Sequence, residues 1–293
     1  MEPLSQLQHR LPKVYLKQFS YRENGRRFIS VLKKNKNKTE QKDIETFTAE
    51  TNIFDYSILP DIAERRHFEK ICNKFETQYP GIIESIRKGS PTPNNWFILI
   101  QFMATLIVRT ESNRIFYSDL IAKADTKKKF FDEITIFNED LRSDLDIIAW
   151  EYGIEETLRP ISVMVGEHIA KCLSRFSYVI LKAPSPKKWF TSDDPVVIDK
   201  QGEYGYLIPI ETEIYFPITK DYCLFAYHDK SKIQNHPLRT LENQKIHDCD
   251  EVSHAYITMQ IINNAHRYTL LPMKLDITFN EVIPISNTSL LRI

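Results

Sequence analysis

Phe68, Ile71, Cys72, Phe75, Tyr79, Ile82, Ile83 and Ile86 recur at the spacing of one helix face, a period that no strand can satisfy. The stretch predicts a long amphipathic helix, kinked or divided at Pro80, where the ring removes a backbone donor. Pro91-Thr92-Pro93 then breaks the chain, with Asn94 or Asn95 expected to cap the next helix. That helix carries the most apolar run, Phe97 to Val108, and is expected to continue towards Lys123. The run is too short to cross a bilayer, which takes about twenty residues, so it reads as a core helix. Residues 127–176 predict two or three further helices, interrupted near Gly153 and Pro160.

Outside this middle the pattern changes. Pro12 suits a first helical turn, and Tyr15, Leu16 and Phe19 give a short apolar stripe. Arg27–Leu32 and Ile44–Thr48 read as two strands joined by a lysine- and asparagine-rich connection. Beyond residue 177, short β-branched and aromatic runs at Tyr178–Leu181, Trp189–Thr191, Val196–Ile198, Glu213–Pro217 and Tyr222–Tyr227 predict strands. Gln201-Gly202-Glu203-Tyr204-Gly205 reads as a hairpin turn, and Leu241 to His266 as a last long helix before strands that run to the C-terminus. Helices in the middle and strands at the ends predict an α+β fold. A central helical bundle would pack against a mostly antiparallel sheet built from the N-terminal and C-terminal strands. We read residues 1–293 as a single domain, with a basic strand region over 1–50, a helical region over 60–176 and a β-rich region with the final helix over 177–293.

Composition excludes more than it assigns. Seven glycines stand where average usage would give roughly twenty. There is no G-x-G, no P-loop string, no G-x-S-x-G and no H-E-x-x-H, so backbone cradling of a pyrophosphate and the commonest hydrolase and metalloprotease signatures are missing. Lys+Arg and Asp+Glu are both 39. Locally, however, residues 1–39 hold ten basic side chains against Glu2 and Glu23. Such asymmetry permits a basic face for nucleic acid over residues 10–38, although charge runs are commonly solvated surface. The four scattered cysteines suit a reducing compartment, and the opening residues lack the apolar core of a signal peptide. A cytoplasmic protein without a membrane partner is expected.

The string His9-Arg10-Leu11-Pro12-Lys13-Val14-Tyr15-Leu16-Lys17-Gln18-Phe19 is similar to the H-x-x-P-x-x-Y-L-x-x-F opening of the family catalogued as domain of unknown function 4238. In order along the chain, Glu69 and Glu76 resemble that family's paired-glutamate helix, and Arg109-Thr110 its R-T after an apolar helix. Phe190 to Val196 is similar to its F-x-T-S-D-x-P-V segment, and Asn263 to Tyr268 to its closing N-x-A-x-R-aromatic string. Leu106 departs from the glutamine that members often place there, and Glu111 from the proline that commonly follows R-T. The resemblance implies a microbial protein, often in mobile or defence-associated settings, and supplies positions rather than a mechanism.

Those positions frame two readings. In the first, the chain is a phosphodiester hydrolase acting on nucleic acid, RNA foremost. His9 would serve as general base or acid. Asp193 would position it or a divalent cation, and Arg109 or Arg267 would stabilise developing phosphate charge. Lys17, Glu76, Thr191, Ser192 and Asn263 would line the binding site. In the second, the same arginines serve a non-catalytic module that binds a protein or an anionic ligand. Each residue also has a structural role open to it: Asx and Ser/Thr turns at Thr191 to Pro195, ion pairs from the arginines to Glu69 or Glu76, and a solvated face for His247, Asp250, Glu251 and His254. That last set could offer at most two metal ligands along a single helix. No cofactor is assigned beyond the divalent cation.

Overall fold

The computed structural model describes residues 5–34, 36, 38–135, 139–199, 208–231 and 237–274, with the side chain of residue 139 excepted. The chain opens with β1 (Leu7–His9) and α1 (Lys13–Leu16), the latter entered through Pro12. β2 (Tyr21–Glu23) and β3 (Arg26–Lys33) form a hairpin whose turn residues Asn24 and Gly25 have φ of 49° and 77°. Positive φ at both central positions is what a tight hairpin of this hand requires. The partner of β3 is β4 (Thr39–Asp43), followed by β5 (Ala49–Thr51). The strand expected at Ile44–Thr48 is instead a turn. Ile44 and Phe47 point into the core from it, while the polar TEQKD segment takes the ladder as a strand with a largely exposed face.

The helices follow the apolar period closely. After α2 (Ile62–Arg65), the first long pattern splits into α3 (His67–Glu76) and α4 (Tyr79–Arg87), with Pro80 in the first turn of α4. α5 (Pro93–Arg109) is capped by the Thr92 hydroxyl, which accepts from the Asn95 amide, while Asn95 completes a capping box. The asparagine is therefore the third residue of the helix and not its cap. Helix α5 does not run on to Lys123. Thr110 is extended, with φ −67° and ψ 151°, and ends α5 while opening α6 (Glu111–Ala122). Then come α7 (Ala124–Ile134), α8 (Glu139–Glu151) and α9 (Gly153–Leu173). Pro160 lies inside α9 without interrupting it. The buried stripe of Leu158, Ile161, Val165 and Ile169 offsets the one hydrogen bond the ring removes.

The C-terminal part supplies β6 (Ser177–Lys182), β7 (Thr191–Ser192), β8 (Val197–Ile198), β9 (Glu213–Pro217), β10 (Tyr222–Tyr227), β11 (Ile246–Asp248), α10 (Glu251–Asn264) and β12 (Tyr268–Leu271). The long final helix expected from Leu241 thus begins ten residues later. Its would-be first turns pair with β6 as a parallel edge strand, and the Asp250 carboxylate caps α10 by accepting from the Ser253 amide at 2.8 Å. The expected hairpin turn at 201–205, and any strand after residue 274, lie outside the described residues.

The fold is α+β, but the described strands divide between two five-stranded sheets and a separate antiparallel pair of β1 and β5. One has the order β11-β6-β10-β9-β8 and comes wholly from the C-terminal part. The other joins both ends of the chain: β12 pairs with β3 on one side and with β7 on the other, with β2 and β4 also on β3. An aromatic column ties sheets to helices. Tyr15 stacks on Phe216 with centroids 5.6 Å apart, and Tyr79 on Phe102 at 4.3 Å. The Tyr15 hydroxyl is 2.5 Å from that of Thr191 and donates to the Pro217 carbonyl at 2.9 Å, so the motif tyrosine bridges the two sheets. Among the described residues no helix is long and apolar enough to cross a membrane.

Candidate functional site

Arg109, the last residue of α5, is 1% exposed. Its guanidinium bonds Glu76, lies 3.7 Å from Glu69, donates to the His9 carbonyl and covers the Phe54 ring at 5.1 Å. The paired glutamates of α3, two turns apart on one face, are the receptacle of this arginine. His9 is 8% exposed, and its ring Nε2 sits 3.0 Å from the Glu45 carbonyl oxygen. Burial lowers its pKa most, with the charges of Lys13 and Arg109 acting in the same direction against the Glu45 hydrogen bond. A neutral imidazole held by a backbone carbonyl orients β1 and the turn after β4.

Asp193 and Asp194 leave β7 together and part at once. The two Asp193 oxygens accept from the amides of His266 at 3.0 Å and Arg267 at 2.8 Å, while the Asp193 amide donates to the Tyr268 carbonyl. Asp193 is thereby the clasp of the corner between α10 and β12. Burial nonetheless raises its pKa, against those hydrogen bonds. Asp194 is 7% exposed and accepts from the Ser112 hydroxyl at the start of α6. Its carbonyl accepts from Asn264 at 2.9 Å and from Ser192 at 2.6 Å. Burial pushes its carboxyl up to about 7, the Ser112 hydroxyl opposing and the Asp193 charge adding. Replacing Asp193 with alanine frees two amides at the corner. We expect a loss of about 2 kcal/mol, typical of hydrogen bonds to a charged acceptor, read by urea denaturation together with faster hydrogen exchange at the amides of residues 266 and 267.

A cleft of about 300 Å³ opens beside this corner. Arg10, Lys42, Glu50, Glu111, Asp193, His266 and Arg267 face it, with the turn Asp43 to Thr48 as one wall. Arg10 bonds Glu50 through Nε at 2.8 Å, and its Nη1 is buried without a hydrogen-bond partner among the described residues. Arg267, half exposed, bonds Glu111 at 2.5 Å. A second hollow of about 190 Å³ shares Arg10 and Glu111 and adds Arg114 and Asp119.

Of the sequence-derived candidates, Asp193 and Arg267 share this cleft. His9 and Arg109 lie behind it in the core, joined to each other through the His9 carbonyl, and Glu76 is with them. Thr191 and Ser192 are fully buried and hold Tyr15 and Asp194. Lys17 and Asn263 are exposed, and neither faces the cleft. Part of the basic segment is taken up by structural contacts. Lys13 pairs with Glu45, Arg26 with Asp43, and Lys34 donates to the Ala265 carbonyl at 2.9 Å. His247 lies in β11, Asp250 is a cap, and His254 is buried against Trp189 at 4.3 Å, so the four do not share a helix face. Among the described residues no group of three or more His, Cys, Asp or Glu side chains could hold a metal. The carboxylates of Asp193 and Asp194 go to different partners. The sequence reading missed Lys42, Glu50, Glu111 and His266 as cleft residues, and offered Arg10 only within the basic segment 10–38. Each neighbours a motif position or sits on a polar strand, a signal too weak to read without the strand pairing.

A family model described as "Protein of unknown function (DUF4238)" matches residues 7–269. Comparison with curated proteins and with solved structures gave no match.

Proposed function

The chain belongs to the DUF4238 family of proteins of unknown function, and we propose that its cleft is a recognition site for an anionic group, with binding rather than turnover as its task. The observation that carries this reading is Arg10, whose buried Nη1 lacks a hydrogen-bond partner among the described residues, beside a second arginine, Arg267, from the far end of the chain. A buried guanidinium nitrogen left unbonded is unfavourable until an acceptor arrives. Two guanidiniums offer the forked donors that match phosphate or carboxylate. In the free protein Glu50 and Glu111 occupy part of each fork, so a ligand displaces weak, solvent-exposed carboxylate contacts. The residues foreseen as catalytic are engaged elsewhere: the Asp193 oxygens by two amides, the His9 ring by a carbonyl.

Titration calorimetry with pyrophosphate and with a short single-stranded RNA tests this. The unaltered chain is expected to bind at least one of these probes, and Arg10→Ala and Arg267→Ala each to weaken binding about tenfold or more, the loss of one or two charged hydrogen bonds. Binding unchanged in both variants, or no binding of either probe, overturns the reading. RNA cleavage with Mg²⁺, Mn²⁺ or Zn²⁺ that disappears in Asp193→Ala or His266→Ala replaces it with the phosphodiester hydrolase.

A further inference from the structure

The outer face of helix α8 is apolar where a solvated helix is polar. Its inner face is taken up by the bundle, with Leu145 buried and α9 packed alongside. On the outer face Ile147 is 52% exposed and Trp150 is 89% exposed, and Tyr152, just past the helix, is 50% exposed. Trp96 and Trp189 are buried, so Trp150 is the single tryptophan of the three that meets solvent. In the helical repeat Ser143, Ile147 and Trp150 form one row, and Asp140, Asp144 and Glu151 the row alongside it. All three acids are exposed and have no ion-pair or hydrogen-bond partner among the described residues. Arg142 of α8 and Lys127 of α7 are held on the flank by Asp132 and Asp146.

An indole left in water and like charges four residues apart are both unfavourable in the free chain, and tryptophan is the side chain most often found as an interface anchor. The charges select the occupant. Nucleic acid and an anionic membrane are repelled. A second copy meeting this ridge would add the same three carboxylates and no cation. The chain's own residues 275–293 hold two acids and one arginine, so they do not complement the face either. We propose that α8 docks a cationic segment of another protein. Its lysine or arginine side chains lie along Asp140, Asp144 and Glu151, and an apolar side chain packs on Ile147 and Trp150. The acidic row runs about 16 Å along the axis, three turns of a partner helix. A cation over the indole ring adds to the contact. The face uses no residue of the cleft and does not depend on the anion-binding reading.

The probe is a fourteen-residue amphipathic peptide of leucine and lysine, and its leucine-glutamate counterpart is the control. Titrated into the full chain, the lysine peptide should shift tryptophan emission to shorter wavelength and saturate, because Trp150 leaves water. The glutamate peptide should do neither. By calorimetry, Trp150→Ala should weaken the lysine peptide about tenfold or more. Asp140→Asn, Asp144→Asn and Glu151→Gln together should weaken it about tenfold, the sum of three exposed ion pairs. Neutralising Glu242, Asp248 and Glu251 removes the same charge at the edge of the other sheet and should change affinity by less than about twofold. All these substitutions fall at exposed positions. Equal weakening by the two neutralised triples means a general attraction and overturns the proposal, as does failure of the lysine peptide to bind. It is also overturned if acrylamide quenches no tryptophan of the unaltered chain. Quenching that then appears on dilution, with dimer dissociation in sedimentation, makes a second copy the occupant; none on dilution makes it the chain itself.

Discussion

Arg109→Met is expected to lower stability by about 3–5 kcal/mol, the loss seen when one partner of a buried ion pair is removed. The side chain is 1% exposed, and its acidic partners are 12% and 18% exposed, so solvent screens little of the interaction. Methionine fills a similar volume but leaves Glu69 and Glu76 facing each other with no cation between them. The Glu69 carboxyl, already pushed up by burial against the attraction of Arg109, would lose the attraction and keep the burial. The His9 carbonyl also loses its donor. Lysine should not rescue, because a single ammonium cannot reach Glu76 and the His9 carbonyl in the fork geometry a guanidinium provides. The triple variant Arg109→Met, Glu69→Gln, Glu76→Gln should recover much of the loss, since apolar or neutral replacement of a whole buried ion pair is often nearly neutral. Urea denaturation at pH 7 measures all three. A single-variant loss below about 1 kcal/mol, the value of an exposed pair, would show that Arg109 is not the cationic centre of this core.

The second large effect is a dependence on pH. The Asp194 carboxyl lies well above its ordinary 3.8, at about 7, chiefly through burial. Between those values the folded chain holds a proton that the unfolded chain has released. Unfolding is therefore favoured progressively as pH rises from about 4 to 7, and the stability contributed by the protonated acid is lost by pH 8. At 1.36 kcal/mol per pH unit the window is worth about 4 kcal/mol. Asp194→Asn keeps the shape and cannot ionise. Near pH 4 it should match the unaltered chain to within about 1 kcal/mol, the difference being its contact with Ser112. By pH 8 it should be more stable by up to about 4 kcal/mol less that contact. Denaturation curves at pH 4, 6 and 8 decide the matter. A variant that is less stable than the parent at pH 8 would mean that Asp194 is charged and well solvated in the folded state.

Much of the fold was legible because the relevant signals are local. The period from Phe68 to Ile86 placed α3 and α4, and Pro80 marked their division correctly, since a ring that removes one donor acts within a single turn. Tyr178–Leu181, Glu213–Pro217 and Tyr222–Tyr227 became β6, β9 and β10 with little change. Errors fell where strand pairing and not composition settled the conformation, on a neighbouring strand in one case and on a distant one in the other. Thr39–Asp43 has no strand composition, yet it pairs with β3. Residues 246–248 read as helix, yet they extend β6 as a parallel edge.

The site divides along the same line. The resemblance to the family marked Glu69, Glu76, Arg109, Asp193 and Arg267 as polar residues of one ordered set, and spacing put Glu69 and Glu76 on one helix face. Only the tertiary structure decided what each one touches. It sent Arg109 inward to two glutamates, turned Asp193 onto two amides of its own corner, and brought Arg10, the residue after β1, to the cleft where Arg267 stands. The physical reason is that secondary structure follows from periodicities a few residues long, whereas the partner of a charged group is fixed by which surfaces are buried together. In this chain β3 and β12 meet across more than two hundred residues, and no local pattern encodes that meeting.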